Sequence, residues 1–421
     1  MILDLKRHLV FRLLLLFLVC YAWRSFWLGQ DIPSFDSTVE RRFKHYLDTT
    51  ISWHTEQLLG HHQTHLIPHA RRRKISTIQA RLGCYARNGF WSLLSERYHH
   101  NRTCIEEWPS LESLELKDLI KMFCQLLSGK RILLVGPHAF HHIQSLLLEA
   151  LAKHDEKSYS SGYPDSGRHY LVCRDAQKAQ DPSFNLTHIS FSLSDTLFPI
   201  QGDDEINGAE VDPRTGVRVH NSYWFKESWK TQLLILNKGP IPAPASTYDG
   251  GTGNWSFTRQ ANEAGDEDNL SARIVKAAFD IIFQVYIPQL LHTLNVLEGI
   301  KSNTVFFGPW FQQSICTNSG LNAKFRTTKL FWEPYDEVDP WSLYYDTQVY
   351  IIDRILPAIL PYFNVTFIPM TVPFIVESHG KDVTGLVDQR KDCLRPASDR
   401  PIGETIRLTF IKTLLYQLLN Q

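Results

Sequence analysis

From residue 130 onward the chain alternates between two hydrophobic patterns. Short continuous apolar runs, such as "RILLV" and "TQLLILNKG", have the length and flanking polar residues of buried strands. Between them lie segments whose apolar residues recur every three or four positions, the period of a helix packed on one side. The pattern predicts a strand at "RILLV" and a helix at "AFHHIQSLLLEALAKH", then strands at "RHYLVCR", "LTHISFSLSDTLF" and "TQLLILNKG". A long helix follows in "SARIVKAAFDIIFQVYIPQLLHTLNVLEG", with a bend expected at Pro288 because proline lacks the amide hydrogen its turn needs. "NTVFFGP" reads as a strand, "TQVYIIDRILPAILPYFNVTFIPM" as helix then strand, and "ETIRLTFIKTLLYQLL" as a closing helix. Strands separated by helices imply a largely parallel sheet covered on both faces, a three-layer α/β/α domain. Residues 155–168, 202–221 and 243–269 are rich in Gly, Asp and Ser and read as surface loops.

The N-terminal pattern is different. Lys6 and Arg7 precede an apolar stretch from Leu9 to Leu28, interrupted near its ends by Arg12 and Arg24. A single span needs about 20 apolar residues. The two arginines can extend to the headgroups, and Trp23, Phe26 and Trp27 suit the interface. The expected organisation is a cytoplasmic tail over 1–8, a signal-anchor transmembrane helix over 9–28, a stem over 29–80 and a lumenal domain over 81–421. Cleavage after Ala22, giving a secreted protein, is the alternative. The stem carries His61, His62, His65, His69 and the run "RRRK", which read as a solvated face, with some amphipathic helix around "VERRFKHYLDTTISWHTEQLL".

Charge narrows the function classes. Lys and Arg total 44 and Asp and Glu total 44, so no basic excess exists to hold a phosphate backbone, and nucleic-acid binding is not expected. Of seven cysteines, six lie beyond the apolar segment: Cys84, Cys104, Cys124, Cys173, Cys316 and Cys393. That even number suits disulfides in an oxidising compartment. Cys84 and Cys104 bracket a loop that a bridge could close. Cys316 with Cys393 would fasten a late turn to the C-terminal block, and Cys124 and Cys173 read as buried thiols. N-glycosylation sequons stand at Asn101, Asn185, Asn254, Asn269 and Asn364.

Candidate chemistry gathers at three turns that follow predicted strands or close the chain: "VGPHAFHH", "ILNKGPIP" and "VDQRKDCLRP". With "CYARNGFW" and "YHHNRTC" ahead of them, these blocks resemble, in order, the PC-esterase superfamily. That SGNH-like group includes trichome-birefringence-like and fungal capsule-type polysaccharide O-acetyltransferases. The resemblance runs from Cys84 to the C-terminus and implies a Golgi-resident type II membrane protein. Its site would map onto Gly136, His138, Asn237, Gly239, Asp392 and Arg395.

The departures bear directly on function. The family's Gly-Asp-Ser block is matched by Gly136, Pro137 and His138, its Asn-Thr-Gly block by Asn237, Lys238 and Gly239, and its terminal histidine by Arg395. Acyl transfer of this kind needs a hydroxyl nucleophile and an imidazole base. Arginine stays protonated and cannot be the base. His379 is the replacement base within reach in sequence, and Ser145 reads as a packed helix serine. His138 and His142 are four apart, but with no glutamate between them and no third ligand, no metal is expected, and no cofactor either. The expectation is a catalytically degenerate PC-esterase-like protein. His138, Lys238 and Arg395 would then present positive charge to an acidic or acetylated glycan, with active relatives as possible associates. The alternative is an active O-acyltransferase or acetylesterase with rearranged catalytic residues, and a purely structural pairing of Arg395 with Asp392 competes with the ligand site.

Overall fold

The computed structural model describes residues 48–59, 68–87, 89–92, 97–100, 104, 111, 113–154, 159–161, 168–173, 186–198, 211–212, 216–217, 223–241, 277–300, 302–310, 340–370 and 401–420. Helix α1 covers 48–59 and α2 His69–Arg87, followed by a hairpin of β1 (Gly89–Ser92) and β2 (Arg97–His100). Then come α3 (Leu116–Leu126), β3 (Arg131–Gly136), α4 (His138–His154), β4 (Tyr159–Ser161), β5 (Arg168–Val172) and β6 (Thr187–Leu193). A small hairpin, β7 (Val211–Asp212) and β8 (Gly216–Val217), precedes α5 (Tyr223–Ser228) and β9 (Leu233–Asn237). The chain closes with α6 (277–297), β10 (Asn303–Phe307), α7 (Pro340–Ile359), β11 (Thr366–Ile368) and α8 (Pro401–Leu419).

Seven strands form the main sheet in the order β11-β10-β9-β3-β6-β5-β4. The five from β11 to β6 are parallel, while β5 runs antiparallel to β6 and β4 antiparallel to β5. The central strands β3 and β9 run apolar because both faces are covered, whereas β6 alternates. In β3, Ile132 and Leu134 point to one side, with Ile235, Val305 and Phe307 from the neighbouring strands. Helices α2, α3, α4 and α8 cover that side, contributing Leu82, Phe123, Phe140, Leu147, Phe410 and Leu414. Leu133 and Val135 point to the other side, with Leu234, Leu236 and Phe306, under Ile51 of α1, Trp224 of α5, Ile282–Leu297 of α6 and Ile351 of α7. The three-layer architecture expected from the alternating pattern is the one observed.

Several local expectations change. Within α6 the residues Ile282–Tyr286 form a π-helical turn directly before Pro288. Pro288 cannot donate to the carbonyl four residues back, and the wider turn sits where the bend was expected. Helix α3 and the β1–β2 hairpin were not anticipated. Tyr159–Ser161 and the β7–β8 hairpin lie in segments read as loops, where short strands leave too few residues to show a period. The packed domain also starts before residue 81. Gln79 of α2 donates to Pro357 O at 2.9 Å and accepts from Phe367 N at 2.7 Å, so it satisfies the free amide of the edge strand β11. Ile75 and Ile78 are buried beside it, and Ile51 of α1 enters the opposite layer. Residues 48–59 and 69–80 therefore pack onto the domain instead of forming a free stem, because their apolar faces close the two layers. Arg71–Lys74 lie on α2.

Two disulfides fasten the first layer. Cys84 of α2 is joined to Cys104, with Cα atoms 5.6 Å apart, and Cys124 of α3 to Cys173 just past β5, at 5.4 Å. Cys124 and Cys173, read as thiols, are thus a bridge. They point to an oxidising, extracytoplasmic compartment. Cys173 takes a positive φ of 69° at the end of its strand. Among the described residues no helix is long and apolar enough to cross a membrane; the segment 9–28 lies outside them, as do Cys316 and Cys393.

Candidate functional site

Numbered in chain order, the parallel strands β3, β6, β9, β10 and β11 stand in the order 2-1-3-4-5. In that arrangement connections leave neighbouring strands β3 and β9 toward opposite faces: α4 packs in one layer and α6 in the other. The crevice this opens beyond the carboxyl ends of the strands is where doubly wound sheets bind ligands. Two of the three turns singled out from sequence, after Gly136 and after Asn237, sit side by side there, Val135 being in register with Leu236.

Gly136 is glycine for steric reasons. A Cβ at this position would lie 2.9 Å from Phe140 Cδ1, 3.0 Å from Phe140 Cβ and 3.1 Å from Asn237 O. The chain has to turn at once into α4, whose first amides, Phe140 N and His141 N, donate to Pro137 O at 2.9 and 3.3 Å. His138 is the first residue of that helix. Farther along, Ser145 Oγ donates to His141 O at 3.1 Å, as a packed helix serine does, and His142 is buried.

Asn237 is buried, and its side-chain amide donates to Phe307 O at 2.9 Å and to Gly308 O at 3.1 Å. An amide has two hydrogens to give. Both are held by the end of β10, so Asn237 locks β9 to β10 and has no donor to offer an oxyanion. Gly308 is fitted as tightly as Gly136: a Cβ there would be 2.8 Å from Phe367 Cζ. Gly239 leads into Ile241, whose backbone N and O pair with the Gln348 amide of α7 at 2.8 and 3.0 Å.

Sequence reasoning missed the residues that dominate the crevice. After β6 the chain carries Ser194, Asp195 and Thr196, a stretch read as continuing strand. Ser194 N donates to Gly136 O at 3.2 Å, which brings this segment across the end of β3. Thr196 Oγ1 then donates to Asn237 O at 2.5 Å, and Lys238 Nζ pairs with Asp195 Oδ2 at 2.7 Å. The lysine and aspartate side chains are 8% and 1% exposed, so this is a buried ion pair. It bridges β6 and β9 over the strand between them. Asp195 Oδ1 also accepts Leu197 N at 3.1 Å, and the Tyr286 hydroxyl donates to Lys238 O at 3.4 Å. Burial, then the nearby Asp195 charge, pushes the Tyr286 phenol well above its ordinary range. A usable signal existed: three polar residues in a row closing an alternating strand, at the same sheet end as Gly136 and Asn237.

Lys238 was expected to face a ligand as a positive charge; its ammonium is instead turned inward and neutralised by Asp195. His379, Asp392 and Arg395 lie outside the described residues. Among the described residues no group of three or more His, Cys, Asp or Glu could hold a metal ion. No family model matches this chain, and no curated protein matches it.

Proposed function

We propose that the chain is a membrane-anchored, lumenal PC-esterase-like protein that no longer carries out acyl transfer and that binds glycans or assists their modification by active relatives. The two disulfides and the mainly parallel α/β sheet support the compartment and the hydrolase-like scaffold. The observation that carries the loss of chemistry is the state of Asn237. At Asn237, which stands first in the block resembling the family's Asn-Thr-Gly, both side-chain amide hydrogens are committed to backbone carbonyls. The neighbouring buried Lys238–Asp195 pair joins the segments that follow β6 and β9 across the end of β3. An oxyanion hole works only when its donors are aimed at the developing charge and otherwise unengaged. With Lys238 neutralised, the cation for an acidic glycan falls to Arg395 or His138.

The full chain is incubated with a fluorophosphonate probe and, separately, with an aryl acetate, and then titrated calorimetrically with acetylated and uronate-containing polysaccharides. The reading requires no covalent adduct, no ester hydrolysis above the heat-denatured control, and saturable binding of at least one polysaccharide that Arg395→Ala or His138→Ala weakens. A stable acetyl or phosphonyl adduct would establish the rearranged enzyme instead, with His379 the first base to test. Carbonate-resistant membrane association that disappears on deleting residues 9–28 tests the anchor.

A further inference from the structure

At the other end of the sheet, by the amino ends of β10 and β11, lies a cavity of ≈ 200 Å³. Its walls come from the last turn of α6, the turn leading into β10, and the 3₁₀ turn Leu360–Phe363 that precedes β11. The space is smaller than the roughly 300–1,000 Å³ of clefts that take drug-sized molecules. Leu294, Leu297 and Val365 supply apolar surface, while Asn295, Glu298 and Arg71 stand among its polar lining. An apolar floor with donors and acceptors around it suits a single pyranose, whose C–H face is apolar and whose edge is all hydroxyls.

Asn364 lines this cavity, and it heads the sequon Asn364-Val365-Thr366. It ends the 3₁₀ turn in a left-handed conformation, φ 60° and ψ 30°, which asparagine tolerates better than most residues. Its backbone amide is used by the carbonyls of Leu360 and Pro361. Its side-chain amide makes no hydrogen bond among the described residues. Thr366, by contrast, is buried, and its Oγ1 accepts from Gln417 Nε2 of α8 at 3.3 Å. Modification of the sequon must therefore precede the packing of β11 against α8.

We infer that Asn364 is N-glycosylated during export and that the first N-acetylhexosamine of its glycan is seated in this cavity. In the transfer, Asn364 Nδ2 attacks the anomeric carbon of a polyprenyl-diphosphate-linked oligosaccharide. The N–C bond forms, the C–O bond to the diphosphate breaks, the amide proton goes to the transferase's carboxylate, and the polyprenyl diphosphate leaves. The acetamido methyl and the sugar's apolar face lie on Leu294, Leu297 and Val365, and the hydroxyls reach Asn295, Glu298 and Arg71. The inference rests on the export reading, not on whether the crevice at the opposite end is catalytic.

The test uses full-length protein expressed in a eukaryotic secretory host, with Asn364 occupancy measured by glycopeptide mass spectrometry. Release by peptide-N-glycosidase is then timed at this site in native and in denatured protein. The expected result is near-complete occupancy and release at least tenfold slower from native protein. Asn295→Trp, on an exposed position at the cavity rim, fills the seat from its mouth and is expected to bring native release to the denatured rate. Unmodified Asn364 beside glycans at other sequons overturns the seat alone, as does equal release from native and denatured wild type. A chain without glycan at any of the five sequons overturns the export reading as well.

Discussion

Removing one member of the Lys238–Asp195 pair strands the other as a buried, uncompensated charge. For pairs this deep the loss is about 3–5 kcal/mol, against roughly 0–1 kcal/mol for a solvent-exposed pair. The structure separates the two partners. Lys238→Met keeps the aliphatic stem and removes the ion pair at 2.7 Å, so about 3 kcal/mol is expected. Asp195→Leu also deletes the acceptor of Leu197 N at 3.1 Å, a hydrogen bond to a charged group worth about 1.5–3 kcal/mol, and is expected near the top of the range. The double variant Lys238→Met/Asp195→Leu leaves no orphan charge. Its cost should fall back to about that of the Leu197 bond, well below the sum of the singles, since replacing a buried pair by apolar residues is often nearly neutral. Urea denaturation followed by tryptophan fluorescence gives the four free energies of the cycle. Single losses below about 1 kcal/mol, or additivity within about 0.5 kcal/mol, would show that the pair is solvated and does not brace the crevice.

Other outcomes follow from the same geometry. Gly136→Ala places a methyl 2.9 Å from Phe140 Cδ1 and 3.1 Å from Asn237 O, and is expected to lower stability by about 1–3 kcal/mol in thermal melts, because the backbone oxygen cannot swing aside. Cys124→Ser/Cys173→Ser opens a bridge between residues 49 apart and is expected to lose about 2–5 kcal/mol; wild type melted under reductant should lose at least as much, since Cys84–Cys104 opens too. His188, at the start of β6, has its imidazole pKa lowered from 6.5 by burial first, then by Arg131 and His169. The fold thus favours the neutral ring, and its contribution is intact above pH 6.5 and lost as pH falls toward the depressed folded value. His188→Gln should flatten the melting temperature between pH 7 and pH 5, and an unchanged slope would locate the acid sensitivity elsewhere.

The alternation of strands and helices was legible because its cause is local: a strand buried on both faces must be apolar throughout, and a helix on a sheet must be apolar every third or fourth residue. That pattern in β3, β9, β10 and α4 alone carries the α/β class and the sheet end at which Gly136 and Asn237 fall. Short pieces such as β4 and β7–β8 hold too few residues for any period, and α2 looks like a solvated stem until Gln79 is seen to satisfy the free amide of β11. What Asn237 does with its two amide hydrogens could not be read from the chain, because its acceptors are backbone carbonyls 70 and 71 residues away, and every residue has one. The partner of Lys238 was equally hidden. Any of the chain's 44 acidic residues satisfies the charge, and only the strand order 2-1-3-4-5 lays Asp195 across the end of β3 to meet it. Periodicity reports which surface a residue shows to its own element; which distant group it meets there is decided by how the elements are stacked.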